Sequence, residues 1–218
     1  YKQANKNMDI CSISIEEAME TITTLVLEVG NNSKRITAIV TNLKQMTKGD
    51  MENLDQKVDI NKALQAAVAI LDSVIKKHTN HFIIDFTEGL QPIRGNVQQL
   101  EQVFINIIQN ALESLPNKEK KVIISTKPDH SKNRNSILVV VQDEGVGINI
   151  GSMDMITRPF YTTKGDDGGT GLGLSISKTI LNNHRGTMQF KSQPLKGTKA
   201  IIKLPIEKRV QDQAHHEK

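Results

Sequence analysis

Apolar positions seven residues apart dominate the first quarter of the chain. One row consists of Ile15, Ile22, Val29, Ile36 and Leu43, and the other of Ala18, Leu25, Asn32, Ile39 and Met46. The side chains of Met19, Val26 and Val40 widen the resulting stripe. This spacing predicts a helix of about eight turns from Ile15, with an apolar face suited to a helical bundle. Ser14 and Glu17 predict a capping box at its start.

A lone helix cannot bury such a stripe. The pattern therefore predicts a partner helix, either from another copy of the chain or from sequence outside this stretch. The alternative, a helix folded back onto its own domain, stays open, although sustained heptads favour bundles. Residues 1–14 are polar and lack a period, so we interpret them as the loop that precedes the helix.

Short strands and helices follow a polar linker from Lys48 to Lys57. The predicted strands cover residues 58–60, 81–86, 122–126, 137–142, 187–192 and 198–205. The predicted helices cover residues 61–78, 96–115 and 172–184, and Asn96 with Gln99 predicts a second capping box. Because the last two strands form a hairpin and strands outnumber β-α-β units, the expected fold class is α+β. We expect a two-layer α/β sandwich preceded by a long bundle-forming helix.

Three parts are expected along the chain: residues 1–49 with the loop and bundle helix, residues 50–206 with the sandwich, and a polar tail at 207–218. Hydrophobic residues make up 37% of the composition, enough for a core, and the formal net charge of +4 is spread along the chain. That spread argues against a nucleic-acid binder. Cys11 is the single cysteine, which excludes an intramolecular disulfide framework and a cysteine-based metal site.

Two glycine-bearing segments carry candidate chemistry. Asp143 follows a predicted buried strand, and Gly145 and Gly147 come directly after it. A carboxylate at a strand end can accept a hydrogen bond from an exocyclic amine, and glycines allow a tight turn and the close approach of a flat ring. The second segment, GGTGLGLS at 168–175, opens a predicted helix and can expose backbone N–H groups to phosphate. It is neither a Walker A loop nor a Rossmann fingerprint.

Two asparagines, Asn106 and Asn110, lie four residues apart on the predicted helix from Asn96. This spacing puts both amides on one helical face, where an amide oxygen can coordinate Mg²⁺. The alternative is structural: one asparagine faces solvent and the other caps another segment.

Together these segments resemble the Bergerat-type ATP-binding fold, and specifically the catalytic domain of sensor histidine kinases. The family's four boxes occur in order: the N box at 102–113, the G1 box at 143–148, the F box at 159–164 and the G2 box at 169–175. The resemblance covers residues of about 96 to 205. The heptad helix resembles the second helix of the dimerisation hairpin, which directly precedes the ATP domain in this family.

The resemblance implies a role for each matching residue. Asn110 is the implied Mg²⁺ ligand, Asp143 the acceptor for the adenine amine, and Asn106 and Lys164 the catalytic residues. The implied nucleotide contacts are Asn106, Asn110, Asp143, Gly145, Gly147, Phe160, Thr163, Lys164, Gly169, Thr170, Gly171, Leu172 and Gly173. Phe160 and Lys164 belong to the ATP lid, and Lys164 adds positive charge beside the triphosphate.

Position 106 distinguishes among relatives of this fold. Gyrase-type and mismatch-repair-type ATPases carry a glutamate there as the general base for water, whereas the amide of Asn106 cannot accept a proton. This favours phosphoryl transfer to another nucleophile over hydrolysis.

No phosphoacceptor motif is present in the sequence. The six histidines, His78, His81, His130, His184, His215 and His216, are interpreted as structural or surface residues. At the end of its helix, His184 as an imidazolium would meet the negative end of the dipole. Because the chain starts at Tyr1 rather than Met, we expect a piece of a longer protein whose acceptor helix lies upstream.

The resulting hypothesis is the cytoplasmic kinase core of a two-component sensor, with ATP and Mg²⁺ as cofactors. It would transfer the γ-phosphoryl group to a histidine on the absent helix, for relay to a response-regulator aspartate. The expected partners are a second copy through the heptad helix, a receiver domain and an upstream sensor domain. No nucleic-acid or membrane contact is expected of this stretch, although the parent protein can be membrane-anchored. A Ser/Thr protein kinase of the same fold and a nucleotide-sensing dimerisation module are the alternatives.

Overall fold

The computed structural model describes residues 14–47, 54–129, 135–163 and 169–206, with the side chains of residues 14–30, 33, 36, 37 and 40 in the first helix. Helix α1 covers Ile15–Thr47, as the heptads predict. Its capping box is reciprocal: the Ser14 N–H donates to Glu17 Oε2 at 3.1 Å, and the Glu17 N–H donates to Ser14 Oγ at 3.2 Å. Most of the predicted loop 1–14 and the tail 207–218 lie outside the described residues.

The apolar stripe of α1 is exposed along its described side chains except at Ala18, which is half-buried. Ile22, Leu25 and Val29 keep 59%, 53% and 68% of their surface accessible. Helix α1 does contact a later helix, α5 (Gly173–Asn183), but this contact leaves the stripe uncovered. In the described parts of the chain, no helix is both long enough and apolar enough to cross a membrane.

A five-stranded mixed sheet forms one layer of the sandwich. Its strands are β2 (His81–Phe86), β4 (Lys121–Asp129), β5 (Ser136–Asp143), β6 (Thr187–Ser192) and β7 (Thr198–Pro205). Their order across the sheet is β2-β4-β5-β7-β6. Only β2 and β4 pair in parallel, and the other neighbours are antiparallel. Strands β6, β7 and most of β4 alternate more and less buried residues because one face meets the helices, whereas the central strand β5 is buried at most positions.

Helices form the second layer, with α4 (Val97–Glu113) at its centre. This helix contacts α2 (Ile60–Ile70), α3 (Asp72–His78), α5 and β5. Its apolar face, including Leu100, Phe104 and Ile108, has no accessible surface. The predicted α+β two-layer sandwich is therefore confirmed, and α4 is the element that connects its parts.

Four local features differ from the sequence prediction. The strand expected at 58–60 is β1 (Gln56–Val58), since Asp59 Oδ1 accepts from the N–H groups of Asn61 and Lys62 and starts α2. A strand that was not predicted, β3 (Ile93–Gly95), pairs with β1. The helix expected over 61–78 breaks at Leu71, between α2 and α3. The loop expected over 143–171 contains a 3₁₀ turn at Ile150–Ser152.

Candidate functional site

Asp143 ends β5 with its carboxyl group buried and oriented. Its Oδ1 accepts hydrogen bonds from the N–H of Gly145 at 2.8 Å and from the N–H of Thr198 at 3.0 Å. Burial raises the pKa of the Asp143 carboxyl above its ordinary value, and these N–H groups, with the Ser114 hydroxyl, partly oppose that rise. The carboxyl is thus held in one orientation by the G1 loop and by the start of β7, which are far apart in the sequence.

The G1 glycines are required by packing within the protein. A methyl group at Gly145 would clash with the hydroxyl and carbonyl oxygens of Ser114, just after α4. Gly147 has φ +72° and lies against the carbonyl of Gln193, which precedes the β6–β7 turn. The G1 loop therefore fits between the end of α4 and the hairpin. The sequence predicted that these glycines allow a tight turn and the approach of a ligand ring. The left-handed Gly147 agrees with the turn, and the described contacts of both glycines are to the chain itself.

A cavity of about 450 Å³ opens beside Asp143. Met153, Phe190 and Thr198 line it, together with the three lysines Lys191, Lys196 and Lys199. Its size lies in the range of small-molecule sites, and it presents a fixed carboxyl next to apolar side chains. This combination suits a flat heterocycle that carries an amine.

Asn106 connects α4 to the first turn of α5. Its amide nitrogen donates to Gly173 O at 3.2 Å and lies 3.3 Å from Ser177 Oγ, while its amide oxygen accepts from Gln102 Nε2 at 3.0 Å. These contacts agree with the structural alternative, in which one asparagine of the pair bonds another segment, because the Asn106 amide joins two helices. Its predicted catalytic role stays a prediction.

Asn110 lies one turn further along α4, half-buried and on the same helical face as Asn106. Nearer the end of the helix, Ser114 accepts the Val146 N–H of the G1 loop through its carbonyl, at 3.0 Å. Asn106 and Ser114 are eight residues apart, which corresponds to about 12 Å along a helix. The helix therefore spans from the first turn of α5 to the loop beside Asp143, with Asn110 between them.

The G2 segment enters α5 through a left-handed glycine. Gly171 has φ +66°, and a methyl group there would meet the backbone of Phe160 at 2.5 Å. Phe160 itself has φ +65° and is exposed. The F box and the G2 box are thus in direct backbone contact. Gly173 differs, since a methyl group there would lie 3.6–3.8 Å from the Asn106 amide, an ordinary contact distance.

The N-terminus of α5 has no side-chain cap. Leu172, a fully buried residue, occupies the N-cap position and provides no capping hydrogen bond. The first N–H groups of a helix have no intrahelical acceptor, and they carry the positive end of the dipole. The half-buried residues Gly169 and Thr170 lead into this helix start. Such a helix start suits an anion.

Turns organise residues 152–161, the segment that leads into the F box of the predicted lid. Backbone hydrogen bonds link Ser152 to Met155 and Ile156, Met155 to Arg158, and Arg158 to Tyr161. Thr163 is exposed at the edge of the described segment. The predicted catalytic Lys164 lies outside the described residues, as do residues 165–168, so the structure does not test its role.

Two of the described histidines, His78 and His81, lie outside these elements, in α3 and β2, and the third, His184, ends α5. His78 Nδ1 lies 2.9 Å from Val74 O, and His81 Nε2 lies 3.5 Å from Glu119 Oε2. His184 is buried, and that burial lowers the pKa of its imidazole, which disfavours the imidazolium form at this helix end. The other three histidines lie outside the described residues.

Several residues of the site were not predicted. Ser114 and Thr198 hold the Asp143 loop, and Ser192 Oγ accepts the Ile148 N–H at 2.8 Å. Gly197, with φ +84°, packs against the Asp143 carbonyl. The only sequence signal for this region was the hairpin expected of the last two strands, which gave no indication that its turn packs on the G1 loop.

A carboxyl suited to an amine-bearing ring and an uncapped helix start suited to phosphate, connected by α4, define a nucleotide-binding α+β domain. Residues 95–208, more than half of the chain, match the family described as histidine kinase-, DNA gyrase B- and HSP90-like ATPase. The chain belongs to this family. It carries an ATP-binding domain of the sensor histidine kinase type, which confirms the resemblance carried by the four boxes.

Individual relatives agree with this assignment. Sporulation kinase A of Bacillus subtilis (strain 168) is 34% identical over 171 residues, which are 78% of this chain and 27% of that protein. The nucleotide-free catalytic domain of histidine kinase ThkA is 25% identical with a TM-score of 0.59, covering 69% of this chain and 96% of that chain. Acinetobacter baumannii histidine kinase AdeS covers 85% of both chains with a TM-score of 0.65, and at 21% identity this likeness concerns the fold alone. This chain spans 24% to 39% of the length of the curated relatives it matches.

Proposed function

We propose that this chain is the ATP-binding kinase core of a two-component sensor, which transfers the γ-phosphoryl group of ATP to a histidine on a separate helix. The observation that carries this proposal is the arrangement along α4. The oriented carboxyl of Asp143 lies near its end, and the uncapped start of α5 contacts Asn106. The span of about 12 Å between Asn106 and Ser114 suits an extended nucleoside triphosphate.

Each end of the nucleotide has a defined counterpart in this proposal. The adenine occupies the cavity beside Asp143, where the amine donates to the carboxyl group. The phosphates lie at the G2 segment, from Gly169 to Gly173, and accept from the first N–H groups of α5. The exposed Phe160 borders the same entrance, and Thr163 and Lys164 follow in the lid.

The side chains present fit a magnesium ion that arrives with the triphosphate. Within the described ranges, no group of three or more His, Cys, Asp or Glu side chains is placed to hold a metal. Mg²⁺ is usually held through one or two protein oxygens, substrate phosphates and waters. Asn110 would provide the protein oxygen, and the ion would neutralise phosphate charge.

Transfer rather than hydrolysis follows from the residues around the phosphates. The Asn106 amide cannot accept a proton from water, and its nitrogen is directed at the α5 backbone. The acceptor histidine is supplied from outside the described site, because His78 and His81 lie in α3 and β2, outside the site, and His184 is buried with its Nδ1 2.8 Å from Ile180 O. Catalysis by this chain then consists of positioning and charge neutralisation.

The exposed stripe of α1 supports a homodimer as part of this proposal. Apolar residues such as Ile22 and Val29 keep most of their surface accessible, which a bundle would cover. The other proposed partners are an upstream sensor domain and a response-regulator receiver domain that accepts the phosphoryl group on an aspartate. The proposed location of this core is the cytoplasm. The stripe also favours this function over a Ser/Thr kinase of the same fold.

Labelling with γ-³²P-ATP tests the proposal. Alone, the chain should bind Mg-ATP but show little self-labelling and slow turnover. A histidine-bearing upstream helix, joined to the chain or present in a dimer partner, should restore acid-labile, base-stable phosphohistidine. Acid-stable label on a partner would indicate a Ser/Thr kinase, and binding without transfer would indicate a nucleotide-sensing module. Stable label on the chain alone that disappears in His78→Gln or His81→Gln would contradict the external acceptor.

A further inference from the structure

His184 ends α5 in a tightly bonded turn. It occupies the C-cap position, and Arg185 follows with φ +53°. The Gly186 N–H donates to Leu181 O at 2.7 Å, and the Arg185 N–H donates to Asn182 O at 2.9 Å, the hydrogen bonds of a Schellman motif. The backbone that carries the imidazole is therefore well defined.

The imidazole itself connects two helix ends. Its Nδ1 lies 2.8 Å from Ile180 O in α5, and its Nε2 lies 2.9 Å from the backbone nitrogen of Asn96, the N-cap of α4. A carbonyl can only accept and a backbone N–H can only donate. The ring must therefore be neutral, with its proton on Nδ1 and the Nε2 lone pair directed at Asn96. We call the Asn96–His184 contact the cap-to-cap hydrogen bond.

Neighbouring residues are arranged around this bond. A methyl group at Gly95 would lie 2.5 Å from the His184 Cδ2 and 2.8 Å from the Nε2, so only glycine admits the ring there. In a capping box, the Gln99 side chain would accept the Asn96 N–H. Here Asn96 Oδ1 accepts the Gln99 N–H at 3.0 Å, but Gln99 Oε1 is buried and has no hydrogen-bond partner among the described residues. His184 replaces the glutamine in the returning half of the box.

The cap-to-cap bond is a polar link between α4 and α5. A second polar link is the contact of Asn106 with Gly173 and Ser177 at the start of α5. The links are ten residues apart along α4 and eleven apart along the chain of α5. These separations correspond to about 15 Å and 16 Å of helix. Two links at matched separations oppose both sliding and rotation of α5 against α4.

We propose that His184 is a positioning residue of the nucleotide site: by holding the end of α5 against the start of α4, it sets where the G2 glycines lie relative to Asn106 and Asn110. This inference rests on the proposed binding of phosphates at the start of α5. His184 does not touch the nucleotide. It acts through α5, because a shift of this helix along its axis moves Gly173, its first residue.

Two substitutions separate positioning from simple capping. In His184→Gln, the amide oxygen reaches the place of Nε2 and can still accept the Asn96 N–H. In His184→Asn, the shorter amide can donate to Ile180 O but cannot reach Asn96. We expect His184→Asn to weaken binding of a non-hydrolysable ATP analogue by roughly three- to tenfold, the range for one net hydrogen bond. His184→Gln should stay within twofold of the parent chain.

The side-chain NH₂ signals of Asn106 in ¹⁵N–¹H spectra provide a readout at the far link. They should shift in His184→Asn and stay in place in His184→Gln. A lower melting temperature of His184→Asn with unchanged analogue affinity and unchanged Asn106 signals would overturn the inference and leave His184 as a cap. If the parent chain does not bind the analogue, the proposed function fails instead, while the Asn106 signals still test the coupling between the helix ends.

Discussion

The long helix α1 and the helix α4 both carry an apolar face, but only that of α4 is covered within the domain. In α4, Leu100, Phe104 and Ile108 have no accessible surface because the sheet and the neighbouring helices cover them. In α1, Ile22 and Val29 remain more than half exposed. An apolar stripe thus indicates that a helix has a partner, but it does not identify the partner. The contrast separates a domain with its own core from a helix that requires a second helix.

Charge placed on the stripe of α1 should have the largest effect. We expect Ile22→Glu to weaken self-association at least about a hundredfold, because an uncompensated carboxylate would have to be buried in the bundle. ATP-analogue affinity should not change. Sedimentation or light scattering measures the first and calorimetry the second. Thr24→Glu, on the opposite face of the helix, is the matched control; equal losses in both variants would remove the stripe as the interface.

Asp143→Asn should lower ATP affinity and leave self-association unchanged, the reverse of the effect expected for Ile22→Glu. The asparagine oxygen can keep the N–H groups of Gly145 and Thr198, so the fold and self-association should persist. The amide nitrogen would face the adenine amine in place of an acceptor. We expect a ten- to hundredfold loss of ATP affinity, the range for a charge-assisted hydrogen bond, and little change for an adenine-free polyphosphate. Equal losses for both ligands in calorimetry would show that Asp143 does not recognise the base.

Two glycines of the sandwich should separate stability from binding. Gly147→Ala places an alanine in the left-handed region against Gln193. We expect the free energy of unfolding to fall by at least about 1–2 kcal/mol. Gly173→Ala should keep its unfolding free energy, since the methyl group has room beside Asn106, but it should reduce nucleotide affinity by crowding the phosphates. Urea unfolding and calorimetry on both variants test this. A destabilised Gly173→Ala would mean that this glycine serves the fold.

The smallest effect expected is a pH dependence of the stability of the sandwich. Burial lowers the pKa of His184 below its ordinary 6.5, so the unfolded chain binds this proton more readily. The stabilising contribution of neutral His184 is present above pH 6.5 and is lost as pH falls through the folded pKa. Between pH 7.5 and 5.5, the parent chain should lose up to about 1 kcal/mol more than His184→Gln. Parallel urea titrations that show equal losses would contradict a neutral, buried imidazole.

Local patterns were sufficient for much of the fold. The bounds of β2, β6 and β7 agree with the predicted strands, and Asn96 caps α4 as expected. These features depend on alternation and on side chains that contact their own neighbours in sequence. The pairing of β1 with β3 joins segments about 37 residues apart, and no local period marks either three-residue strand. The break at Leu71 was hidden because both flanking segments continue a helical pattern.

The sequence by itself determined the class of the domain, because four motifs in a fixed order carry the residue types that nucleotide binding requires. It also determined that α1 is a helix whose apolar stripe requires a partner helix. Only the tertiary structure decided what the individual residues contact. It assigned the G1 glycines to Ser114 and Gln193, Asn106 to the start of α5, and the His184 imidazole to the Asn96 N–H. Those contacts join residues that folding brings together from distant parts of the chain, and neither periodicity nor composition encodes such distances.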